Sequence, residues 1–194
     1  MSEKKNKKII IFSSGNGTNA EEIIKYFENK KEINVYLVLT NNSNAGVLER
    51  AKKHKIPAIF YNNEAFEKKI VFEILNFLNP DLIVLAGFLR KIPDIIISKF
   101  PNKIINIHPA LLPSHGGKGM YGNKVHKSVI RSNDSKTGIT IHFVNGDYDK
   151  GEIILQKSIN VESKDSPESL FKRVQKLEHK FYPLIIEKLL DEQS

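Results

Sequence analysis

The chain is expected to fold as a doubly wound α/β domain, a mostly parallel sheet with helices on both faces. Three observations predict this. Short β-branched runs alternate with helical patterns along most of the sequence, the mark of repeated strand–helix units. Those runs are apolar throughout rather than alternating, as strands covered on both faces require. A glycine-rich turn follows the first run, where such folds pass from strand to helix and commonly meet a ligand.

The elements follow in chain order. Polar residues 1–7 are expected to form a flexible tail, and Lys8–Phe12 reads as the first strand. Ala20–Lys30 has helical periodicity, Val35–Thr40 reads as a strand and Gly46–His54 as a helix. Ala58–Tyr61 is a short strand, and Glu64–Leu78 reads as one long helix. Strands Leu82–Ala86 and Ile104–Ile107 flank a helix over Asp94–Phe100, and strands Gly138–Phe143 and Ile153–Val161 come later. The last helix runs from Pro167 to about Leu190: Ser166 is a preferred N-cap, and Pro167 supplies the pre-set φ of a first helical position. Pro183 should kink it. No repeat, linker or low-complexity stretch divides the 194 residues, so a single domain, 1–194, is expected.

Composition removes several function classes. There are no cysteines, which excludes disulfides, thiolate metal ligands and thiol nucleophiles and suits a reducing compartment. The run Ile9–Phe12 is far too short for a signal peptide or a membrane span, so a soluble cytoplasmic protein is expected. The formal net charge of +8 raises the question of nucleic acid. Only Arg50, Arg90, Arg131 and Arg173 among the 30 basic residues are arginine, the preferred reader of phosphate forks and base edges. The lysines are spread along the chain with acids between them. The expectation is a solvated lysine-biased surface, with neither nucleic acid nor membrane as partner.

The candidate chemistry begins at Asn106 and His108. Residues i and i+2 of a strand share a face, so an amide and an imidazole emerge together near the carboxyl end of Ile104–Ile107. Open α/β sheets bind ligands there. An amide can hold a developing oxyanion, and an imidazole can move a proton near neutral pH. The loop Ser13-Ser-Gly-Asn-Gly-Thr-Asn19 suits an anion, because glycines permit close backbone approach and a helix start offers unpaired N–H groups. It lacks the Gly-Lys-Ser/Thr of a P-loop. Its formal match to the dinucleotide pattern is not followed by an acid at the end of the second strand, Leu39-Thr-Asn-Asn42. A single phosphate held by Gly17, Thr18 and Asn19 is the expectation. A carboxylate beside the imidazole would favour its protonated form, and the loop after the strand ending at Phe143 carries Asp147 and Asp149, between which the residues alone do not choose. His142, His54 and His179 read as structural. The glycine-rich stretch Leu111–Gly122 is either a lid or a crossover without ligand contact. With no cysteine and no serine at a nucleophile elbow, chemistry without a covalent enzyme intermediate is expected.

The glycine loop, Ala86-Gly-Phe-Leu-Arg-Lys91, Asn106-Ile-His-Pro-Ala-Leu-Leu-Pro113 and Asp149-Lys-Gly151 occur in that order, and with them the chain resembles the glycinamide ribonucleotide formyltransferases from about Lys8 to Leu190. The resemblance implies the Rossmann-like formyltransferase fold. It also implies transfer of a formyl group from 10-formyl-tetrahydrofolate, the co-substrate, to the amine of glycinamide ribonucleotide, without a metal, in a monomer or homodimer. Residue by residue, it gives Gly17, Thr18 and Asn19 to the phosphate, and Leu89, Arg90, Lys91 and Ile92 to the pterin pocket together with Asn145, Gly146, Asp147, Tyr148 and Asp149. Asn106 would bind the formyl oxygen, which also puts it in the folate site, and His108 would transfer the proton. The Asp-x-Gly pattern selects Asp149, whose charge would raise the pKa of His108. Gln175, Lys176, Leu177 and Glu178 would meet the amine end of the ribonucleotide. An arginine that family members often carry after the third strand is missing from Tyr61–Phe72, leaving Lys68 or Lys69 as a point-charge substitute. The longer methionyl-tRNA formyltransferases and the formyltetrahydrofolate hydrolases share the Asn-x-His element but add a domain for which this chain is expected to have no room.

Overall fold

The computed structural model describes residues 6–192. Strands β1 (Lys7–Phe12), β2 (Ile33–Thr40), β3 (Ala58–Phe60), β4 (Leu82–Leu85), β5 (Ile104–His108), β6 (Lys136–Phe143) and β7 (Ile153–Asn160) form one sheet, ordered β3-β2-β1-β4-β5-β6-β7. β1 to β5 run parallel, whereas β6 and β7 are antiparallel additions at one edge. The helices are α1 (Thr18–Phe27), α2 (Val47–Lys53), α3 (Asn63–Glu67), α4 (Ile70–Leu78), α5 (Asp94–Lys99), α6 (Asn123–Arg131) and α7 (Pro167–Asp191). This is the doubly wound architecture the alternation of patterns predicts.

The uninterrupted apolar strands have a direct cause. Ile9, Ile11, Val84 and Ile105 point into a core shared with Ile23 of α1 and Val174 and Ile186 of α7. Their neighbours Ile10, Phe12, Ile83 and Ile104 point the other way, against Leu75 of α4 and Ile96 of α5. Each strand residue therefore needs an apolar side chain, whichever face it takes.

Strand order reverses beside β1: the chain winds outward to β2 and β3, then returns to place β4 on the opposite flank. A crevice opens where two successive connections leave in opposite directions. The loops after β1 and β4 border it, and Ser14 ties them together. Its N–H donates to Gly87 O at 3.0 Å, and its Oγ accepts from Leu89 N–H at 3.0 Å. Asn41 and Asn42, which stand where a dinucleotide site needs an acid, instead bind Ser14 Oγ and Ser14 O.

Three local expectations are corrected. Lys7 belongs to β1, paired with Ile33, and not to the tail; the remainder of that tail, apart from exposed Asn6, lies outside the described residues. Glu64–Leu78 is two helices, because Lys69 adopts φ 63° and breaks the ladder between α3 and α4. Only α4 buries apolar residues, Val71 and Leu75, so the periodicity that suggested one helix belongs to its second half. α6 was not anticipated. Its signal was Val125 and Val129, buried one turn apart behind the glycine-rich loop. α7 starts as expected: Ser166 Oγ accepts from Ser169 N–H, with Pro167 in the first turn, and the helix continues through Pro183.

Candidate active site

A cleft of about 760 Å³ lies at the strand-order reversal, within the range usual for small-molecule sites. Gly17, Thr18 and Asn19 line one end of it, and Leu89, Arg90, Lys91 and Ile92 another. Asn106, His108, Asn145, Asp147, Tyr148, Asp149, Gln175 and Glu178 also face it. Gly146, Lys176 and Leu177 do not line the cleft. Lys176 is exposed and Leu177 packs on the core, since neighbouring helical positions turn about 100° away from Gln175 and Glu178.

The candidate anion site is built by backbone. Gly17 is the N-cap of α1 at φ 74°, and no side chain caps the helix, so its first N–H groups remain available to a ligand. A Cβ on Gly17 would stand 2.5 Å from Val47 Cβ, so both conformation and packing require glycine there. Arg50 of α2 braces the loop: Nε donates to Asn16 O at 2.7 Å, while the guanidinium pairs with the buried Glu21 of α1. Asn19 also has a second partner: its side-chain Nδ2 donates to Glu178 Oε2 at 3.0 Å, while its backbone N–H belongs to the helix terminus. Gln175 Nε2 likewise donates to Thr18 Oγ1 at 3.1 Å, joining α7 to the anion loop.

Asn106, His108 and Asp149 converge as predicted. His108 is buried at the end of β5. Its Nε2 lies 2.8 Å from His115 O; a carbonyl only accepts, so Nε2 carries a proton and Nδ1 is the nitrogen free to titrate. Asp149 Oδ2 stands 3.5 Å from that Nδ1. Burial pulls His108 below the ordinary histidine value, while Asp149 and the His115 carbonyl push it back up. The expected influence of Asp149 is present, but desolvation outweighs it and the net direction is downward. Burial also opposes ionisation of Asp149, yet the nearby His142, the charge of His108 and the Gly117 N–H at 2.8 Å together bring its carboxyl below the usual range. Asp149 adopts φ 55°, which turns its carboxylate inward. Asp147 is two-thirds exposed and meets only Lys150 and the Asn145 turn.

His142 is a site residue that the sequence did not disclose. Antiparallel pairing sets it directly opposite Asn106, and the β6–β7 register shifts beside it. Its Nδ1 lies 2.8 Å from Phe143 O, so Nε2 is left to accept from Asn106 Nδ2 at 3.2 Å. This fixes which end of the Asn106 amide faces Asp149, whose Oδ1 is 3.5 Å from Nδ2. That long contact is weak enough for a closer acceptor to displace. His54 and His179 stay outside the cleft, as expected.

At the opposite wall, burial raises Glu178 to about 7, against the hydrogen bond from Asn19. Tyr182, one turn further along α7, is wholly buried and its hydroxyl lies 3.1 Å from Leu85 O and 3.2 Å from Ile105 O. Neither Lys68 nor Lys69 lines the cleft. Arg90 instead reaches the segment that lacks the arginine, bonding Asn63 Oδ1 and lying 6.0 Å from the Phe66 ring centroid. Among the described residues, no group of three or more His, Cys, Asp or Glu is arranged to hold a metal ion.

Comparison with known proteins agrees with this geometry. A family model described as formyl transferase matches residues 7–186. The phosphoribosylglycinamide formyltransferase of Bacillus subtilis (strain 168) is 37% identical over 190 residues, covering 95% of each chain. The chloroplastic phosphoribosylglycinamide formyltransferase of Arabidopsis thaliana is also 37% identical, over 98% of this chain and 68% of the relative. Among solved structures, phosphoribosylglycinamide formyltransferase from Bacillus halodurans superimposes with a TM-score of 0.86 at 34% identity, covering 97% of both chains. That from Anaplasma phagocytophilum reaches 0.88 at 30% identity, over 97% of this chain and 89% of the other. With the family model matching residues 7–186, nearly the whole sequence, this chain belongs to the formyl transferase family.

Proposed function

We propose that this protein transfers the formyl group of 10-formyl-tetrahydrofolate to the amino group of glycinamide ribonucleotide, a step of de novo purine synthesis. The observation that carries the reading is one cleft holding three different recognitions: an uncapped helix N-terminus, a buried carboxylate on α7, and the Asn106–His108–Asp149 cluster between them. A phosphate suits the first, an amine the second, and a carbonyl becoming an oxyanion the third. The named relatives are phosphoribosylglycinamide formyltransferases, which supports the same acceptor.

The residues divide the work as follows. The α1 N-terminus at Gly17, Thr18 and Asn19 holds the ribonucleotide phosphate, while Gln175 and Glu178 orient the amine. Leu89 to Ile92 and the Asn145–Asp149 loop seat the pterin, with Arg90 supplying positive charge towards the acidic end of the folate. Asn106 Nδ2 donates to the formyl oxygen as it gains charge. His108, protonated at Nδ1 and supported by Asp149, stabilises the same oxygen and gives its proton to the folate nitrogen as the bond from the formyl carbon to it breaks. The proton lost by the attacking amine returns to His108 through water. His142 keeps Asn106 in the donating orientation. No covalent bond to the protein forms. The reading extends to a cytoplasmic monomer or homodimer acting on small molecules and not on nucleic acid. Among the described residues no helix is long and apolar enough to cross a membrane.

The deciding experiment follows consumption of 10-formyl-tetrahydrofolate with and without glycinamide ribonucleotide. Consumption that requires the acceptor and yields the formylated ribonucleotide is expected. Equal consumption without the acceptor would make the protein a hydrolase, and none in either case would end the enzyme reading.

A further inference from the structure

The glycine-rich stretch after β5 passes both proton-handling groups. His115 O lies 2.8 Å from His108 Nε2, and two residues later Gly117 N–H donates to Asp149 Oδ2 at 2.8 Å. Segment 115–117 is thus a backbone bracket, one carbonyl and one amide, across the imidazole and its carboxylate. Such a bracket needs an anchor. Two of its three residues, Gly116 and Gly117, are glycines, and His115 itself adopts φ 55°, a conformation unfavourable for a residue bearing a Cβ.

The His115 ring supplies that anchor on the side away from the cleft. Its Nδ1 lies 2.9 Å from Ser128 Oγ on α6, and its Nε2 lies 2.7 Å from Asp134 Oδ2 in the turn that ends α6. None of His115, Ser128 and Asp134 lines the cleft. The arrangement has the order of a Ser–His–Asp relay, but its hydroxyl sits on α6, outside the cleft. Both ring nitrogens are consumed in fixing the loop.

Resting on the formyl-transfer reading, we infer that His115, held by Asp134 and Ser128, is a positioning residue that sets the bracket and thereby the tautomer and aim of His108. The loop His115–Gly122, whose first three residues form the bracket, is a structural part of the proton-transfer machinery before it is a wall of the cleft. Displacing the carbonyl by a fraction of an ångström frees Nε2 from its acceptor and lets His108 take the wrong tautomer. Misplacement of that order costs up to about 100-fold in rate.

The test uses the full chain carrying His115→Ala, Asp134→Asn or Ser128→Ala, assayed for formyl transfer beside an active wild type. An inactive wild type would speak against the formyl-transfer reading and leave these comparisons unread. For His115→Ala, kcat should fall by about 10- to 100-fold, on the scale expected for lost orientation, with KM for each substrate within about threefold. Asp134→Asn keeps shape and a partly exposed position while removing the charge, so it remains informative if His115→Ala does not fold; a loss of kcat of about tenfold at unchanged KM is expected on the same scale. His115→Gly should stay as impaired as His115→Ala although glycine takes the positive φ without penalty, because it too lacks the anchoring ring; a return to wild-type kcat in His115→Gly would overturn the inference. A wild-type kcat in folded His115→Ala and Asp134→Asn, whatever their melting temperatures, would overturn the inference, as would losses confined to KM.

Discussion

Glu178→Gln is the most informative single substitution, because its effect changes with pH in a way that only a desolvated carboxyl produces. The side chain is 8% exposed, and burial lifts its pKa from the ordinary 4.5 to about 7. In the unfolded chain the group ionises near 4.5. Between these values the unfolded state releases a proton that the folded state keeps, so ionisation favours unfolding as pH rises. The stabilising contribution of the neutral acid is therefore full below 4.5 and is lost by the time pH passes 7. Linkage over that interval gives about 1 kcal/mol of lost stability at pH 5 and about 3 kcal/mol at pH 8, a difference of roughly 2 kcal/mol. Glutamine cannot ionise, and its Oε1 can still accept from Asn19 Nδ2. Urea unfolding of wild type and Glu178→Gln at pH 5, 6.5 and 8 should show the variant gaining on wild type by that amount. Any constant offset from imperfect packing drops out of the comparison. A difference that stays flat from pH 5 to 8 would refute the argument, since it would mean that Glu178 titrates as a solvated group. The ribonucleotide should bind the variant more weakly at pH 8, with folate affinity unchanged.

Gly17→Ala places a methyl against Val47 at a φ of 74°; it should cost about 1–2 kcal/mol in denaturant unfolding and raise KM for the ribonucleotide while leaving KM for the folate unchanged. Asp149→Asn should lower kcat by at least about 100-fold. It leaves burial less opposed at His108, so the basic limb of the residual activity moves to lower pH. Asp147→Asn, at a side chain 67% exposed, should be near neutral; the reverse pattern would place the functional acid at Asp147. His142→Phe removes the acceptor that orients Asn106 Nδ2 and should reduce kcat by about tenfold or more at unchanged KM, read from steady-state kinetics with each substrate varied.

What could be read in advance follows the range of the interaction responsible. Asn106 and His108 were legible because strand alternation is local, and the reversal-point cleft followed from the order of strands and helices. Glu178 came from the family resemblance; helical periodicity placed it beside the apolar stripe of α7, where a solvated carboxylate is the ordinary reading. His142 was not legible: its role depends on antiparallel register between β5 and β6, and a histidine inside an apolar strand carries no mark of what stands opposite. The choice of Asp149 over Asp147 required the family pattern, because the φ of 55° that turns one carboxylate inward cannot be read from residue type. Lys69 broke the expected helix for the same kind of reason. Asn19 shows a subtler limit: α1 begins at Thr18, two residues before the expected Ala20, and the Asn19 side chain is drawn to Glu178, 159 residues away.

Tyr182 gives the cleft a fixed gauge. Its single hydroxyl proton is shared between carbonyls that belong to neighbouring strands, Leu85 at the end of β4 and Ile105 beside Asn106. One turn back along the same helix stands Glu178. On the proposed formyl-transfer reading, the distance from the amine site at Glu178 to the Asn106 amide is thus set by a phenol that does not line the cleft. Sliding α7 against the sheet to admit a longer acceptor would leave the wholly buried Tyr182 hydroxyl without its acceptors, at a cost on the order of 1–3 kcal/mol. Side chains along the cleft can alter what is recognised there, but the length of molecule that fits between amine and donor is governed from behind the wall.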